Sequence, residues 1–354
     1  MPLAPFTLGV SLLPKAWGGS RLGPLFGDAR DRLGEAWLCA DLASTAASGA
    51  GGQPMISAIE PSRGEGGSLT DLHAVVARDS MALLGFRAER FPLLLKFLDA
   101  AEHLSVQVHP SPEYAAAHPG AHVKSEAWVV LAAEPGAELM LGLRDVRDSR
   151  ELAEAAEGGT LAERLRCFPA APGTVCWLPS GLVHALGAGT LVFEVQTASD
   201  TTYRLHDWTE RYGRAQREMH IEAGVAAALT DAEPVWGRPL AAAGSGVQSD
   251  QGRRLGVGQS GLLIDTPDFE LACVIGASSD AVEHALPSRN APRCVLVVPL
   301  EHAAVLEGPW GRLDAPVNRV TVVPADQVAG CRLTVSPEAR AFVVRVLGGT
   351  PEVP

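Results

Sequence analysis

A chain of 354 residues, 47% hydrophobic and 20% charged, has room for one large globular domain or two ordinary ones. Its net charge of −12 leaves no basic stripe to follow a phosphate backbone, which excludes a nucleic-acid partner. No stretch reaches the length of a membrane span, and any anionic small molecule must be met by a local cationic pocket because the bulk field repels it.

The 37 glycines and 26 prolines favour short elements joined by turns. Cys39, Cys167, Cys176, Cys273, Cys294 and Cys331 are scattered without a CxxC pair, so buried reduced thiols in a cytoplasmic protein are expected. Met1 to Val10 has no basic n-region and carries two prolines, so no export signal is expected.

In chain order, the pattern predicts a helix over Thr70–Leu84, capped by Ser68 or Thr70. Phe91–Ala100 is an apolar run with one lysine inside, as in a strand buried on both faces. Leu104–His109 alternates, placing Ser105, Gln107 and His109 on one face before Pro110 ends it. Lys124–Leu131 puts Lys124, Glu126 and Trp128 on a common face. Helices are expected over Ser149–Ala156, Thr160–Phe168 and Ala215–Leu229, and strands over Thr174–Leu178 and Thr190–Gln196 around a turn-rich Pro179–Gly189. Four further strands follow: Phe269–Ile275, Cys294–Pro299, Val317–Val323 and Ala341–Leu347. The expected fold is mainly β, a sandwich or barrel with a few helices at its edge. Gly237–Gly261 reads as a linker, dividing a catalytic part, 1–236, from a smaller β part, 261–354, across 237–260. The two β halves can be read as distant copies of one barrel unit.

Chemistry-bearing residues concentrate in the first part. Gln107 and His109, two apart on a strand, can present an amide oxygen and an imidazole to one ion, although a strand histidine is often simply hydrogen-bonded in place. Glu126 lies among apolar residues, where an unpaired carboxylate is costly; a metal or the Lys124 ammonium would supply the missing charge. His184 follows the rigid turn Pro179–Ser180–Gly181. Two histidines, a carboxylate and an amide oxygen suit a borderline ion such as Zn²⁺, and the ligand types also admit Mn²⁺ or Fe²⁺. Glu194 and Gln196 alternate out of an apolar strand. Arg204 either holds an anion beside the metal or belongs to a surface turn with a salt bridge. Only three of the 29 basic residues are lysines: Lys15, Lys96 and Lys124. Such scarcity suggests that these positions need an ammonium rather than a guanidinium.

Several segments together resemble a known family: Pro14–Gly19 (PKAWGG), Gly34–Trp37 (GEAW), Phe91–Ala100, Leu104–Pro110 (LSVQVHP), Lys124–Trp128 (KSEAW), Pro179–Ala185 (PSGLVHA), and Glu194–Gln196 through Ser199–Arg204 (SDTTYR). In this order they are similar to the type I mannose-6-phosphate isomerases, in their shorter bacterial form. The resemblance implies a cupin fold with a double β-barrel. It also implies one Zn²⁺ per chain on Gln107, His109, Glu126 and His184, and interconversion of mannose 6-phosphate and fructose 6-phosphate through a cis-enediol. It makes Arg204 the active-site arginine and places Lys96 and Lys124 in the pocket. Ser105 helps hold phosphate, Trp17 and Glu35 line the site, and Glu194 follows the last metal histidine. The proton-carrying group is open among Glu194, Lys124, His109 and a metal-bound water, with Glu194 placed first.

A lysine that longer members carry shortly after the arginine has no counterpart, since Glu210 stands near that place, and Arg211 or Arg214 is the expected substitute. Beyond Gly261 only the β character matches, and His284 and His302 read as structural. Two rival functions are another metal-dependent cupin enzyme, such as an iron dioxygenase, and a non-catalytic sugar-phosphate sensor on the same fold. The sequence leaves the oligomeric state open.

Overall fold

All eight residues of the strand Leu93–Ala100 are buried, as its apolar run demands, and the molecule is layered around it. The computed structural model describes residues 3–45, 52–60, 70–240, 255, 258–276, 278–279 and 291–348. Four sheets stack as two β-sandwiches set back to back. A seven-stranded sheet runs in the order Val235–Trp236, Val175–Leu178, Glu126–Ala133, Thr190–Thr197, Leu93–Ala100, Ser11–Gly19 and Leu33–Cys39. A five-stranded sheet faces it, in the order Leu165–Pro169, Glu138–Leu143, His184–Leu186, Val106–Val108 and Tyr203–His206. Trp17, Leu98, Trp128 and Val192 from the first sheet meet Leu139, Leu141 and Leu186 from the second in one apolar core.

The opposite face of the seven-stranded sheet packs on the carboxy-terminal six-stranded sheet, where Phe193 stacks on Phe342 with ring centroids 4.6 Å apart. That sheet in turn covers a four-stranded one through a second core of Val297, Leu306, Leu333 and Val343. This is the mainly β, double-barrel cupin-type arrangement expected from the sequence, because strands at the centre of four layers are apolar on both faces. We propose the division into 1–236, a linker at 237–260 and 261–354 as its architecture; among the links across it, Phe6–Thr7 pairs with Thr321 and Val322 of the carboxy-terminal sheet. Residues 241–254 of the expected linker, and His284, lie outside the described residues. Among the described residues no helix is long and apolar enough to cross a membrane.

Several local expectations differ from the structure; one is the strand over Val317–Val323, where residues 317–319 turn and only Thr321–Val323 is a strand. The first helix spans Leu72–Leu84 and is capped by Asp71, whose carboxylate accepts from the Ala74 amide at 2.9 Å, rather than by Thr70; Ser68 lies outside the described residues. Thr160–Phe168 forms only a short 3₁₀ turn, Leu161–Arg164, before Leu165–Pro169 pairs with Glu138–Leu143, so sheet pairing overrides helical spacing. In Ala215–Leu229 only Ile221–Ala227 is helical, and residues 213–220 form a loop returning toward Arg204. Among the cysteines, Cys167 is exposed; all six are free.

The Phe193 ring sits at the junction of the two sandwiches, on the face opposite Glu194. Phe193→Ala is expected to destabilise the fold by about 3–5 kcal/mol, read as a lower urea midpoint. Its metal content should stay unchanged, since the cavity opens on the other side of the sheet.

Candidate active site and metal centre

Sheet register assembles the site. His184 pairs directly with Gln107, and Arg204 pairs with Gln107 from the other side, so one strand of the five-stranded sheet carries neighbours on both flanks. Across the sandwich, Glu194 pairs with Lys96 and with Trp128, and Gln196 with Glu126. Period-two alternation then turns Lys96, Glu126, Trp128, Glu194 and Gln196 to a common inner face.

The turn bearing His184 is pinned to the strand bearing Glu126. The Lys124 amide donates to Ser180 Oγ at 2.5 Å and the Ser180 amide to Ser125 Oγ at 3.1 Å. Gly181, at φ +93°, takes the left-handed conformation this turn needs; a Cβ there would lie 2.8 Å from the Leu229 side chain. Gly18 lets the segment bearing Trp17 approach its neighbour, where a Cβ would meet the Arg32 carbonyl oxygen at 2.2 Å.

His109, Glu126 and His184 each offer one ligand atom, all within 4.8 Å of one another, and all three side chains are buried. His184 Nδ1 donates to the Leu182 carbonyl at 2.9 Å and His109 Nδ1 to the Thr201 carbonyl at 2.8 Å. A carbonyl can only accept, so each ring carries its proton on Nδ1 and turns the lone pair of Nε2 inward. His184 Nε2 stands 3.0 Å from Glu126 Oε1, a buried carboxylate oxygen with no hydrogen-bond partner. Burial and Lys124 push the His109 imidazole down to about 3, so it stays neutral. Burial alone would raise the Glu126 carboxyl, but the Lys124 ammonium holds it well below the usual range. Converging lone pairs and an ionised carboxylate call for a cation, so the donor set fits a metal. Gln107 adjoins the group: its amide lies 3.3 Å from His184 Nε2, and a flip of that amide would turn its oxygen toward the three ligand atoms.

Lys124 stands between this group and an adjoining cavity, with Nζ 2.7 Å from Glu126 Oε2 and 3.0 Å from His109 Nε2. The cavity is lined by Trp17, Glu35, Lys96, Ser105, Gln107, Lys124, Glu194 and Arg204, among others. Every site residue expected from the sequence thus falls in the cavity or in the buried group that Gln107 and Lys124 touch. The bland readings are partly present too, since the Lys124–Glu126 ion pair is real but only part of a larger constellation. All three lysines of the chain converge here: Lys15 lies 3.5 Å and Lys96 3.9 Å from Glu35, and Lys96 is also 3.7 Å from Glu194. Lys96 sits 4.5 Å above the Trp37 ring.

Four polar atoms in this region are buried without a hydrogen-bond partner: Glu126 Oε1, Glu194 Oε2, Gln196 Oε1 and Arg204 Nε. Such concentration marks a place built for a polar ligand. Glu194 Oε1 accepts from the Trp128 indole at 3.1 Å, and burial together with Glu126 pushes the Glu194 carboxyl up to about 7. Burial would raise Glu35 as well, but Lys96 and Lys15, with the Trp37 indole donating at 2.6 Å, keep it lowered. Arg204 donates through Nη1 to the Glu218 carbonyl at 2.5 Å and is itself lowered to about 10, by burial and by Arg217.

A family model of the phosphomannose isomerase type I catalytic domain matches residues 15–134. A mannose-6-phosphate isomerase of Streptococcus mutans is 34% identical over 225 residues, covering 62% of this chain and 66% of that protein, just under two thirds of its length. A protein of Bacillus subtilis named putative mannose-6-phosphate isomerase is 32% identical over 236 residues, covering 64% of this chain and 69% of its own. The chain belongs to the type I phosphomannose isomerases. Its fold is also that of the crystal structure of mannose 6-phosphate isomerase from Bacillus subtilis, with a TM-score of 0.75 at 23% identity over 97% of this chain and 100% of that one. Family members of this type are metal-dependent, and the His109–Glu126–His184 group is where this chain can hold a metal.

Sequence reasoning missed three polar lining residues, Asp200, Thr202 and Arg217, besides the apolar Leu98 and Leu104. Asp200 and Thr202 lie inside the SDTTYR segment and were within reach of it. Arg217 carried no local signal, because only the path of the 213–220 loop brings it back to the cavity. Arg211 and Arg214, the expected substitutes for the missing lysine, do not line the cavity. Arg211 lies over the Trp208 and Tyr212 rings, and Arg214 donates to the His103 carbonyl at 3.0 Å.

Proposed function

We propose that this chain interconverts D-mannose 6-phosphate and D-fructose 6-phosphate, using one Zn²⁺ ion held by Gln107, His109, Glu126 and His184. The observation that carries the reading is the convergence of His109, Glu126 and His184, with Glu126 Oε1 3.0 Å from His184 Nε2, beside a cavity whose buried Arg204 Nε and Glu194 Oε2 have no hydrogen-bond partner. A divalent ion bound there supplies Lewis-acid stabilisation for negative charge on the sugar oxygens.

The chain's residues account for the rest. Glu194, oriented by Trp128, takes the proton from C2 of the open-chain aldose. The electron pair becomes the C1–C2 double bond of a cis-enediol as the carbonyl oxygen accepts a proton. Return of the proton to C1, with loss of the proton on O2, gives the ketose with no net change in composition. Arg204 and Lys124 place positive charge beside the oxygens where charge develops, and Lys96 holds Glu194 and Glu35 in position. Ser105 meets the phosphate, and Trp17 and Glu35 shape the wall of the cavity. The scattered free thiols support a cytoplasmic setting.

The test is a coupled assay of mannose 6-phosphate conversion before and after chelation, with zinc and other divalent ions restored in turn. Chelation should remove activity and zinc should return it; zinc-loaded protein with no turnover would overturn the reading. Lys96→Arg is expected to lower kcat/KM by about tenfold or more, because a planar guanidinium does not fit a compact ammonium site bounded by Trp37, Glu35 and Glu194. Unchanged kinetics would show that an ammonium is not required there.

A further inference from the structure

The strap that follows Arg204 carries three more arginines, and they are used differently. Arg211 lies on two aromatic rings, 5.9 Å from the Trp208 centroid and 5.5 Å from that of Tyr212. Arg214 is nearly buried against the Tyr212 ring, 3.3 Å from Asp207 and 3.6 Å from Glu102, with a hydrogen bond to the His103 carbonyl. Arg217 is the one that lines the active-site cavity. Its Nε and Nη2 hold Asp207 in a two-point fork, at 2.7 Å and 2.8 Å, so that Nη1 remains for a ligand. Asp207 thus serves two arginines at once, Arg214 and Arg217. Arg204 also acts on Asp207, so three guanidiniums meet two carboxylates here, Asp207 and Glu102, and the excess of positive charge at this end of the cavity suits an anion.

The register places that end. Arg204 pairs with Gln107 and His206 with Val106, so Asp207 follows at the level of Ser105. Ser105 lies two residues along the strand from Gln107, about 6.6 Å at the rise of an extended chain. That distance is of the order of the reach from the reacting carbons of a hexose to its terminal phosphate.

We infer that Arg217, oriented by Asp207, grips the substrate's phosphate together with Ser105 at the end of the cavity away from the His–Glu–His group. Arg217 therefore fills the place for which the sequence offered only Arg211 and Arg214. The inference rests on the isomerase reading for the identity of the phosphate's carrier, but the anion site itself can be tested separately.

The experiment compares wild-type, Arg217→Met and Arg217→Lys proteins, full-length and zinc-loaded. It uses steady-state kinetics on mannose 6-phosphate, calorimetric titration with inorganic phosphate, and thermal unfolding. Loss of one charge-assisted contact should raise KM for Arg217→Met by about 30-fold, leave kcat within about threefold, and weaken phosphate binding in parallel. Arg217→Lys should recover part of both losses, as a point charge without the fork. Unchanged KM and phosphate affinity in Arg217→Met, with only a lower melting temperature, would reduce Arg217 to a staple for the strap and overturn the inference. Should Arg217→Met not fold, Arg217→Lys decides alone: phosphate affinity equal to wild type overturns the inference. Should wild-type protein not turn over mannose 6-phosphate, the isomerase reading falls. The phosphate titrations still decide the role of Arg217.

Discussion

Glu126→Ala is expected to lose metal and activity together, with turnover falling by at least about 10³-fold, the equivalent of the several kcal/mol a Lewis acid contributes at a developing oxyanion. Glu126 is the one carboxylate in the group, and it faces His184 Nε2 at 3.0 Å and His109 Nε2 at 3.7 Å. Without it, the histidines and Gln107 form a neutral donor set beside the Lys124 ammonium, which repels a dication. Lys124 also loses its partner at 2.7 Å, so the variant is expected to be less stable as well. Glu126→Gln keeps the side-chain volume and removes only the charge, which separates metal loss from unfolding. Metal content by atomic absorption, read beside the coupled assay and a melting curve, checks the prediction. Wild-type turnover in metal-free Glu126→Ala would show that the ligand set is wrong.

Arg204→Ala has the second largest expected effect, and its signature is the opposite: activity lost by roughly 10²–10³-fold with metal retained. The Arg204 side chain is 4% exposed, is anchored through Nη1 to the Glu218 carbonyl, and keeps an unpartnered buried Nε. It also flanks Gln107 in the sheet, close to the ion's position but offering no lone pair to it. A group so placed is expected to stabilise charge on the sugar without contributing to metal affinity. Turnover within about threefold of wild type, or a loss of metal equal to that of Glu126→Ala, would refute this division of labour.

Much of the site is legible in the amino-acid sequence because short-range rules carry it. Period-two alternation alone puts Gln107 beside His109, and Lys124 and Glu126 on one face. Lysine scarcity is also a property of the chain alone, and it points at Lys96 and Lys124, both of which reach the cavity; Lys15 joins them through Glu35. What alternation does not contain is which strands become neighbours. That Gln107 lies between His184 and Arg204, and that Glu126 faces them from the opposing sheet, follows from pairings between segments far apart in the chain, Gln107 with His184 and Arg204 and Glu126 with Gln196.

The misread segments share one cause. Leu161–Phe168 has helical spacing, yet its final residues satisfy their backbone groups against Glu138–Leu143, because an edge of the five-stranded sheet is available there. Residues 215–220 also have helical spacing, but Arg217 and the Glu218 carbonyl are engaged with Asp207 and Arg204 outside any helix. In both places a tertiary partner outweighs an intrinsic preference worth only fractions of a kcal/mol per residue.

By itself, then, the amino-acid sequence determined the β-rich class, the ligand types, the cationic pocket chemistry and the family resemblance, since each depends on composition, local period or residue spacing. The tertiary structure alone decided which ring nitrogens of His109 and His184 are held by carbonyls, the convergence of both Nε2 atoms on Glu126, and the choice of Arg217 over Arg211 and Arg214. Those depend on which distant backbone carbonyl or carboxylate stands within about 3 Å of a given nitrogen, and at that range direction and distance set the energy.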